Sequence, residues 1–226
     1  MKFIFSLSLI FLSIQLSQAQ RILFVGNSLT YTNDVPVMVK NLGKAMGRKL
    51  DTECVCYPNY GLEDHWNDGR IQKKIEKGAY DFVLFQQGPS SQAYGRQSLL
   101  EYGGKISTLA KEHGTQPVYF MVWPSLQYYR TFAGVIKNHR DAAESNEAIV
   151  IPLGELWQQY RASANMPNLY GPDGFHPSSA GSFLAALSIY KTLFPEADLH
   201  QISFRKFRSK LNEASFEAFI ELVEAR

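Results

Sequence analysis

The chain has 226 residues, 45% hydrophobic and 19% charged, with 23 Lys and Arg against 21 Asp and Glu. That is the composition of one folded domain, and it excludes a disordered, collagen-like or coiled-coil protein. No basic run dominates, so nucleic acid is not an expected partner.

The first nineteen residues read as a signal peptide. Lys2 is a minimal positive start, Phe3 to Leu12 is an apolar stretch, and Ser17-Gln18-Ala19 is a small-x-small cleavage site. A spanning anchor needs roughly 20 apolar residues. Ser13, Gln15, Ser17 and Gln18 interrupt this one, so no stable membrane insertion is expected. The mature protein is expected to be exported, periplasmic or extracellular. Residues 20–226 are expected to form one domain with a C-terminal helical extension from about residue 197.

Short runs rich in β-branched and aromatic residues then alternate with longer helical patterns. The runs are Ile22–Val25, Thr52–Tyr57, Phe82–Phe85, Val118–Val122 and Ile149–Ile151. Most are continuously apolar, as in strands buried on both faces of a parallel sheet. Helices are predicted at about Val35–Met46, Leu62–Lys77, Gln97–His113 and Tyr129–Ala143. Asp34 starts the first, and Gly78 and Gly114 stop the second and third. Further helices fit Gly154–Ala162, Ser179–Leu193 and a tail from about Phe204 to Glu224. Strands alternating with crossover helices imply a doubly wound, three-layer α/β/α sandwich. Cys54 and Cys56 fall at i and i+2 of the second strand. Extended backbone there separates them too far for good disulfide geometry, so they are expected to be small buried residues.

The candidate chemistry lies at strand ends, where ligands gather in open α/β sheets. Ser28 follows the first strand in Gly26-Asn27-Ser28-Leu29-Thr30, ahead of a helix whose N–H groups favour negative charge. Thr30 stands where a Gly-x-Ser-x-Gly elbow needs its second glycine. After the last strand, Asp173-Gly174-Phe175-His176 spaces a carboxylate three residues from an imidazole around a glycine. One ring nitrogen can then face the carboxylate and the other a nucleophile. Gly61, after the second strand, offers a backbone N–H, and Gln86-Gln87-Gly88 ends the third with side-chain amides. In a 2-1-3-4-5 strand order the first strand lies between the second and third. Ser28, Gly61 and Gln87 would then meet at one edge of a five-stranded, flavodoxin-like parallel sheet.

These blocks resemble the SGNH/GDSL hydrolases. Gly26-Asn27-Ser28 is similar to that family's first block and Gly61 to its second. Gln87-Gly88 falls in the third, and Asp173-x-x-His176 is similar to the last. The resemblance implies Ser28 as nucleophile, His176 as base and Asp173 as its orienting partner. Ser28 and Gly61 would give backbone donors to the oxyanion. The third block departs from the family pattern, because Gly88-Pro89-Ser90-Ser91 stands where an asparagine usually follows the glycine. Some members of the family use glutamine in this block, so the resemblance implies Gln87 as the donor, with Gln86 as its one-residue alternative. No cofactor and no metal is implied. The resemblance and the export signal suggest an O-acylated carbohydrate or another small ester as substrate. The competing reading is a noncatalytic glycan-binding module of the same fold.

The other histidines have plainer expectations. His113 complements a helix dipole, His139 lies on a solvated helix face, and His200 lies in a polar connection. His65 is kept as a pocket candidate, within a Glu63, Asp64, His65 and Asp68 group that reads as a solvated helix start rather than a metal cluster. Trp66, Trp123, Tyr128 and Tyr170 are candidate cleft aromatics.

Overall fold

A computed structural model describes residues 19–160, 167–208 and 211–226. The expected leader, up to its last residue, and the end of the helix predicted to reach Ala162 lie outside the described residues. Five strands form one parallel sheet: β1 Gln20–Gly26, β2 Leu50–Cys56, β3 Phe82–Phe85, β4 Gln116–Phe120 and β5 Ile149–Ile151. Their order is β2-β1-β3-β4-β5, all pairs parallel. The predicted three-layer α/β/α architecture is therefore observed.

Strand periodicity explains the layers. On β1, Ile22 and Phe24 face one core while Leu23 and Val25 face the other, and all four are fully buried. The first face is covered by α2 (Val35–Ala45), α7 (Leu153–Gln159), α8 (Ser179–Leu193) and α9 (Glu213–Glu224). The second is covered by α3 (Leu62–Asp68), α4 (Arg70–Glu76), α5 (Ala93–Glu112) and α6 (Phe132–Ser145). One further short helix, α1 (Ser28–Tyr31), follows β1 directly.

Several expectations need correction. The helix predicted over Leu62–Lys77 is two helices, because Gly69 adopts φ 76° and closes α3. Asp34 precedes α2 but has φ 59° and makes no side-chain cap. The third and fourth helices start earlier and later than predicted, at Ala93 and Phe132, the latter behind a 3-10 segment at Leu126–Thr131. The tail from Phe204 opens as a 3-10 turn, and only α9 is a full helix. β2 is an edge strand with only Leu50 and Val55 buried, unlike β1, whose last five residues are all buried.

On that edge strand the cysteine expectation is also overturned. Cys54 and Cys56 form a disulfide across two residues, Cys54 is exposed and Cys56 half-buried. Two residues of regular strand span about 6.6 Å. Here the Cα atoms stand 5.5 Å apart, a separation a disulfide can bridge. His139 is likewise buried, not solvated. Its Nδ1 meets the Val135 carbonyl at 2.8 Å, and burial pushes its pKa down to about 4.

Candidate active site

The turn after β1 is the centre of the site. Gly26 allows it to close: a Cβ there would lie 2.4 Å from Thr30 Oγ1 and 2.7 Å from Gln86 Oε1. Asn27 then caps α1. Its Oδ1 accepts from Leu29 N at 3.1 Å, and its carbonyl accepts from Thr30 N at 2.9 Å. These bonds use the next N–H groups of the turn and leave Ser28 at its head, with the first orphan donor of the helix.

His176 arrives from the opposite side on a closed loop. Tyr170 bridges Pro177, Gly171 N donates to the His176 carbonyl at 2.7 Å, and Gly174 turns the chain at φ 68°. Trp123 Nε1 donates to the Phe175 carbonyl at 3.0 Å, which pins the loop to the buried segment that follows β4. Asn33, at φ 57°, donates through Nδ2 to the Pro177 carbonyl at 3.1 Å and to Ser182 Oγ at 3.0 Å. It thereby ties the segment after Ser28 to the segment after His176.

The structure brings Ser28, His176 and Asp173 together in a line. His176 Nε2 lies 2.9 Å from Ser28 Oγ, and His176 Nδ1 lies 2.5 Å from Asp173 Oδ2. Asp173 Oδ1 accepts from the N–H groups of Phe175 and His176, each at 2.9 Å. The His176 side-chain bond, followed by the Phe175 N–H, holds the Asp173 carboxyl down at about 2. Asp173 is an ionised acceptor that fixes the ring, and Nε2 is the nitrogen left for the serine hydroxyl.

The two glutamines are separated by the one-residue alternation of a strand end. Gln86 is fully buried, and its Oε1 accepts from Asn27 N and Thr30 Oγ1, each at 2.9 Å. Gln87 is half-buried, and its Oε1 accepts from Leu62 N at 2.8 Å. A backbone N–H can only meet the carbonyl end of that amide, so the Nε2 end of Gln87 is the one free to donate elsewhere. Gln87 also borders Gly61, where a Cβ would lie 3.0 Å from Gln87 Oε1.

Gly61 departs from expectation in one respect. Asn27 Nδ2 donates to the Tyr60 carbonyl at 3.0 Å, so the planar Tyr60–Gly61 peptide aims its N–H the other way. That N–H donates to Asp64 Oδ2 at 2.8 Å, as in a capping box, rather than standing open. Asp64 lies three residues after Gly61, the spacing of a capping box, but Gly and Asp are not the residue pair that signals one in a sequence. Asn27, Asn33 and Thr30 were also missed as site-building residues.

The remaining candidates fall elsewhere. His65 is buried under the β1 turn, with Nε2 2.9 Å from the Gly26 carbonyl, and burial lowers its pKa. Glu63 accepts from the Tyr94 and Tyr102 hydroxyls, each at 2.9 Å, and Asp68 pairs with Arg70. Among the described residues, no group of three or more His, Cys, Asp or Glu is placed to hold a metal ion. Trp123 and Tyr170 belong to the core, where Trp123 stacks on Trp157 at 3.7 Å and the Tyr170 hydroxyl donates to the Pro124 carbonyl. Trp66 packs partly against the second core. Of the four aromatics, only Tyr128 borders the cleft beside Asp173, a cavity of about 590 Å³. Phe175 lines it as well, with Gln92 and Gln127 among its polar groups.

Solved structures share this arrangement of elements. A protein from Slackia heliotrinireducens described as an SGNH hydrolase is 27% identical, with a TM-score of 0.68 over 78% of this chain and 100% of its own. A lipase/acylhydrolase from Enterococcus faecalis is 16% identical, with a TM-score of 0.64 over 78% of this chain and 96% of its own. The esterase EstA from Pseudoalteromonas sp., in a structure inhibited by monoethylphosphonate, is 12% identical, with a TM-score of 0.59 over 78% of this chain and 98% of its own. No family model and no curated protein matches the chain.

Proposed function

This chain is an SGNH/GDSL-type hydrolase in fold, and from that premise we propose that it is an exported serine esterase acting on O-acyl groups of a carbohydrate. The fold supports esterase or acylhydrolase activity. The observation that carries the finer reading is the Ser28–His176–Asp173 line, with contacts of 2.9 and 2.5 Å.

In the proposed reaction, His176 Nε2 takes the Ser28 proton as Oγ attacks the ester carbonyl. The protonated ring stays oriented by Asp173 and returns the proton to the leaving alcohol. A water deprotonated by the same nitrogen then attacks the acyl-enzyme, releasing the acid and restoring Ser28. The oxyanion is held by Ser28 N–H and by the Gln87 Nε2 amide. Gly61 N–H joins them once bound substrate displaces the Asp64 carboxylate from it, before the attack begins.

Carbohydrate as the alcohol is supported by the cleft beside Asp173. Tyr128 and Phe175 supply aromatic side chains, Gln92 and Gln127 supply amides, and none of the lining residues is Lys or Arg. Such a lining suits a neutral, hydroxylated ring better than an anionic carrier. Export is supported by the N-terminal pattern of a charged start, apolar stretch and small-x-small site, with Gln20 opening both the mature chain and β1. Mass spectrometry of secreted protein should find Gln20 first, and a chain retaining Met1 in the membrane would end that part.

The functional test compares acetylated sugars with chromogenic esters of increasing acyl length. Hydrolysis should be lost by orders of magnitude in Ser28→Ala and in His176→Ala, and the two losses should not add. Near-parent turnover in Ser28→Ala would remove the mechanism.

A further inference from the structure

We propose that the Cys54–Cys56 disulfide is a thiol-exchange site that positions the Tyr57–Gly61 loop, so that a dithiol reductant lowers the rate of acyl transfer. The rate claim rests on the esterase reading above, whereas the loop claim does not.

A staple is the least suitable role for this bond. Chain-entropy stabilisation grows with the length of the closed loop, and only one residue separates the two cysteines. Its location says more. Cys56 is the last residue of β2 and lies in register with Gly26, two residues before Ser28. The next residue, Tyr57, donates from N to the Gly26 carbonyl at 3.1 Å, and His65 meets the same carbonyl. Three residues further on, the Tyr60 carbonyl accepts from Asn27. The loop that carries Gly61 is thus fastened by the disulfide where it leaves the strand and by Asn27 where it reaches the candidate oxyanion donors.

The bond also sets a length. The contracted pair spans 5.5 Å between Cα atoms. Relaxing to a regular strand adds about 1 Å, and displacements of that size are enough to spoil catalytic alignment. Among the described residues, no strand pairs with the outer edge of β2 to resist the change.

Access and chemistry agree. Cys54 is exposed on that edge, while Cys56 is half-buried against the first core. A thiolate of the dithiol attacks Cys54 Sγ, the S–S bond breaks, and Cys56 leaves as a thiolate and takes a proton. The second thiol of the reductant, as its thiolate, attacks the sulfur bound to Cys54. Cys54 leaves as a thiolate and is protonated, and the reductant closes to its own disulfide.

The experiment uses the whole mature protein with and without dithiothreitol. Thiols are counted by maleimide mass, kcat and KM are measured on the best ester, and amide hydrogen exchange is followed at residues 57–62. Two thiols should appear, and exchange should quicken across the loop. kcat should fall about tenfold with KM nearly unchanged, a part of the roughly 10²–10³ that outright loss of an oxyanion donor costs. The thermal midpoint should move little, and reoxidation should restore kcat. The Cys54→Ser, Cys56→Ser double variant should sit at the reduced value in both conditions.

Purified protein without the disulfide would overturn the proposal. So would full reduction with kcat and exchange unchanged, or a kcat loss that only tracks a collapsing thermal midpoint. If no ester is hydrolysed in either state and a phosphonate fails to label Ser28, the esterase reading falls instead. Loop exchange then decides the positioning claim: faster on reduction sustains it, and unchanged ends it.

Discussion

At the scale of single residues, the adjacent glutamines carry opposite duties because consecutive positions at a strand end face opposite ways. Gln87→Ala should lower kcat by about 10²–10³, since the lost amide acts on the transition state, and should cost stability only through the single half-buried bond from Leu62 N. Gln86→Ala strands the buried Asn27 N–H and Thr30 hydroxyl. It should cost stability of about 1–3 kcal/mol instead. Steady-state kinetics beside thermal unfolding separates the two, and a selective kcat loss in Gln86→Ala would exchange their roles. Asp173 sets a pH expectation. Its folded pKa, about 2, lies below the ordinary 3.8, so the carboxylate's contribution is present above the ordinary value and is lost as pH falls through about 2. The Asp173 carboxyl carbon, followed by NMR, should keep its ionised shift down to that range. Titration near the ordinary value would mean the His176 contact is not maintained in solution.

At the scale of elements, strands were the most legible parts, because their runs of apolar β-branched residues bury on both faces. Ile22–Val25, Phe82–Phe85 and Ile149–Ile151 were each found within or as a strand. What the sequence concealed were local backbone choices. Gly69 reads as one weak position in a helical pattern, yet its left-handed conformation splits α3 from α4. The cysteine spacing reads as unfavourable for a regular strand, whereas the disulfide holds this edge strand contracted. At the site, Ser28, Asp173 and His176 were legible from residue type and spacing. Asn27 and Asn33 were not, because their bonds to Tyr60 and Pro177 join residues far apart in sequence. The β1–α1 turn makes its own prediction. Gly26→Ala pushes a methyl against Thr30 Oγ1 and Gln86 Oε1, both held in a buried bond. The variant should fold with about 1–3 kcal/mol less stability and a reduced kcat/KM. Parent-like values in both urea unfolding and kinetics would show that the turn has more room than its contacts indicate.

At the scale of the molecule, the parallel order β2-β1-β3-β4-β5 puts the ends of β1, β2 and β3 side by side, which is why Ser28, Gly61 and Gln87 share one edge. The same edge receives the Asp173–His176 loop, anchored through Trp123 in the segment after β4. The C-terminal segment, read from sequence as an extension, is part of the first core. Phe216, Phe219, Ile220 and Val223 are buried there, and Glu224 accepts from Leu199 N and pairs with Lys191. Fully burying each such apolar side chain contributes about 1.5–3 kcal/mol. Four of them rival the roughly 5–15 kcal/mol that keeps a domain folded. A chain ending at Glu196 should therefore lose its cooperative near-UV melting transition. A sharp transition within a few degrees of the parent would make the segment dispensable.

The central claim is that Ser28 is a nucleophile activated by His176, and covalent labelling tests it most directly. Monoethylphosphonate-type reagents place a phosphorus where the ester carbonyl would sit, so an activated serine displaces their leaving group far faster than an ordinary hydroxyl does. Intact-mass and peptide mass spectrometry should show a single adduct, carried by Ser28. His176→Ala, exposed for the same time, should carry none. A folded parent that takes up no adduct, or takes it up at another residue, would contradict the account and leave a binding module in its place.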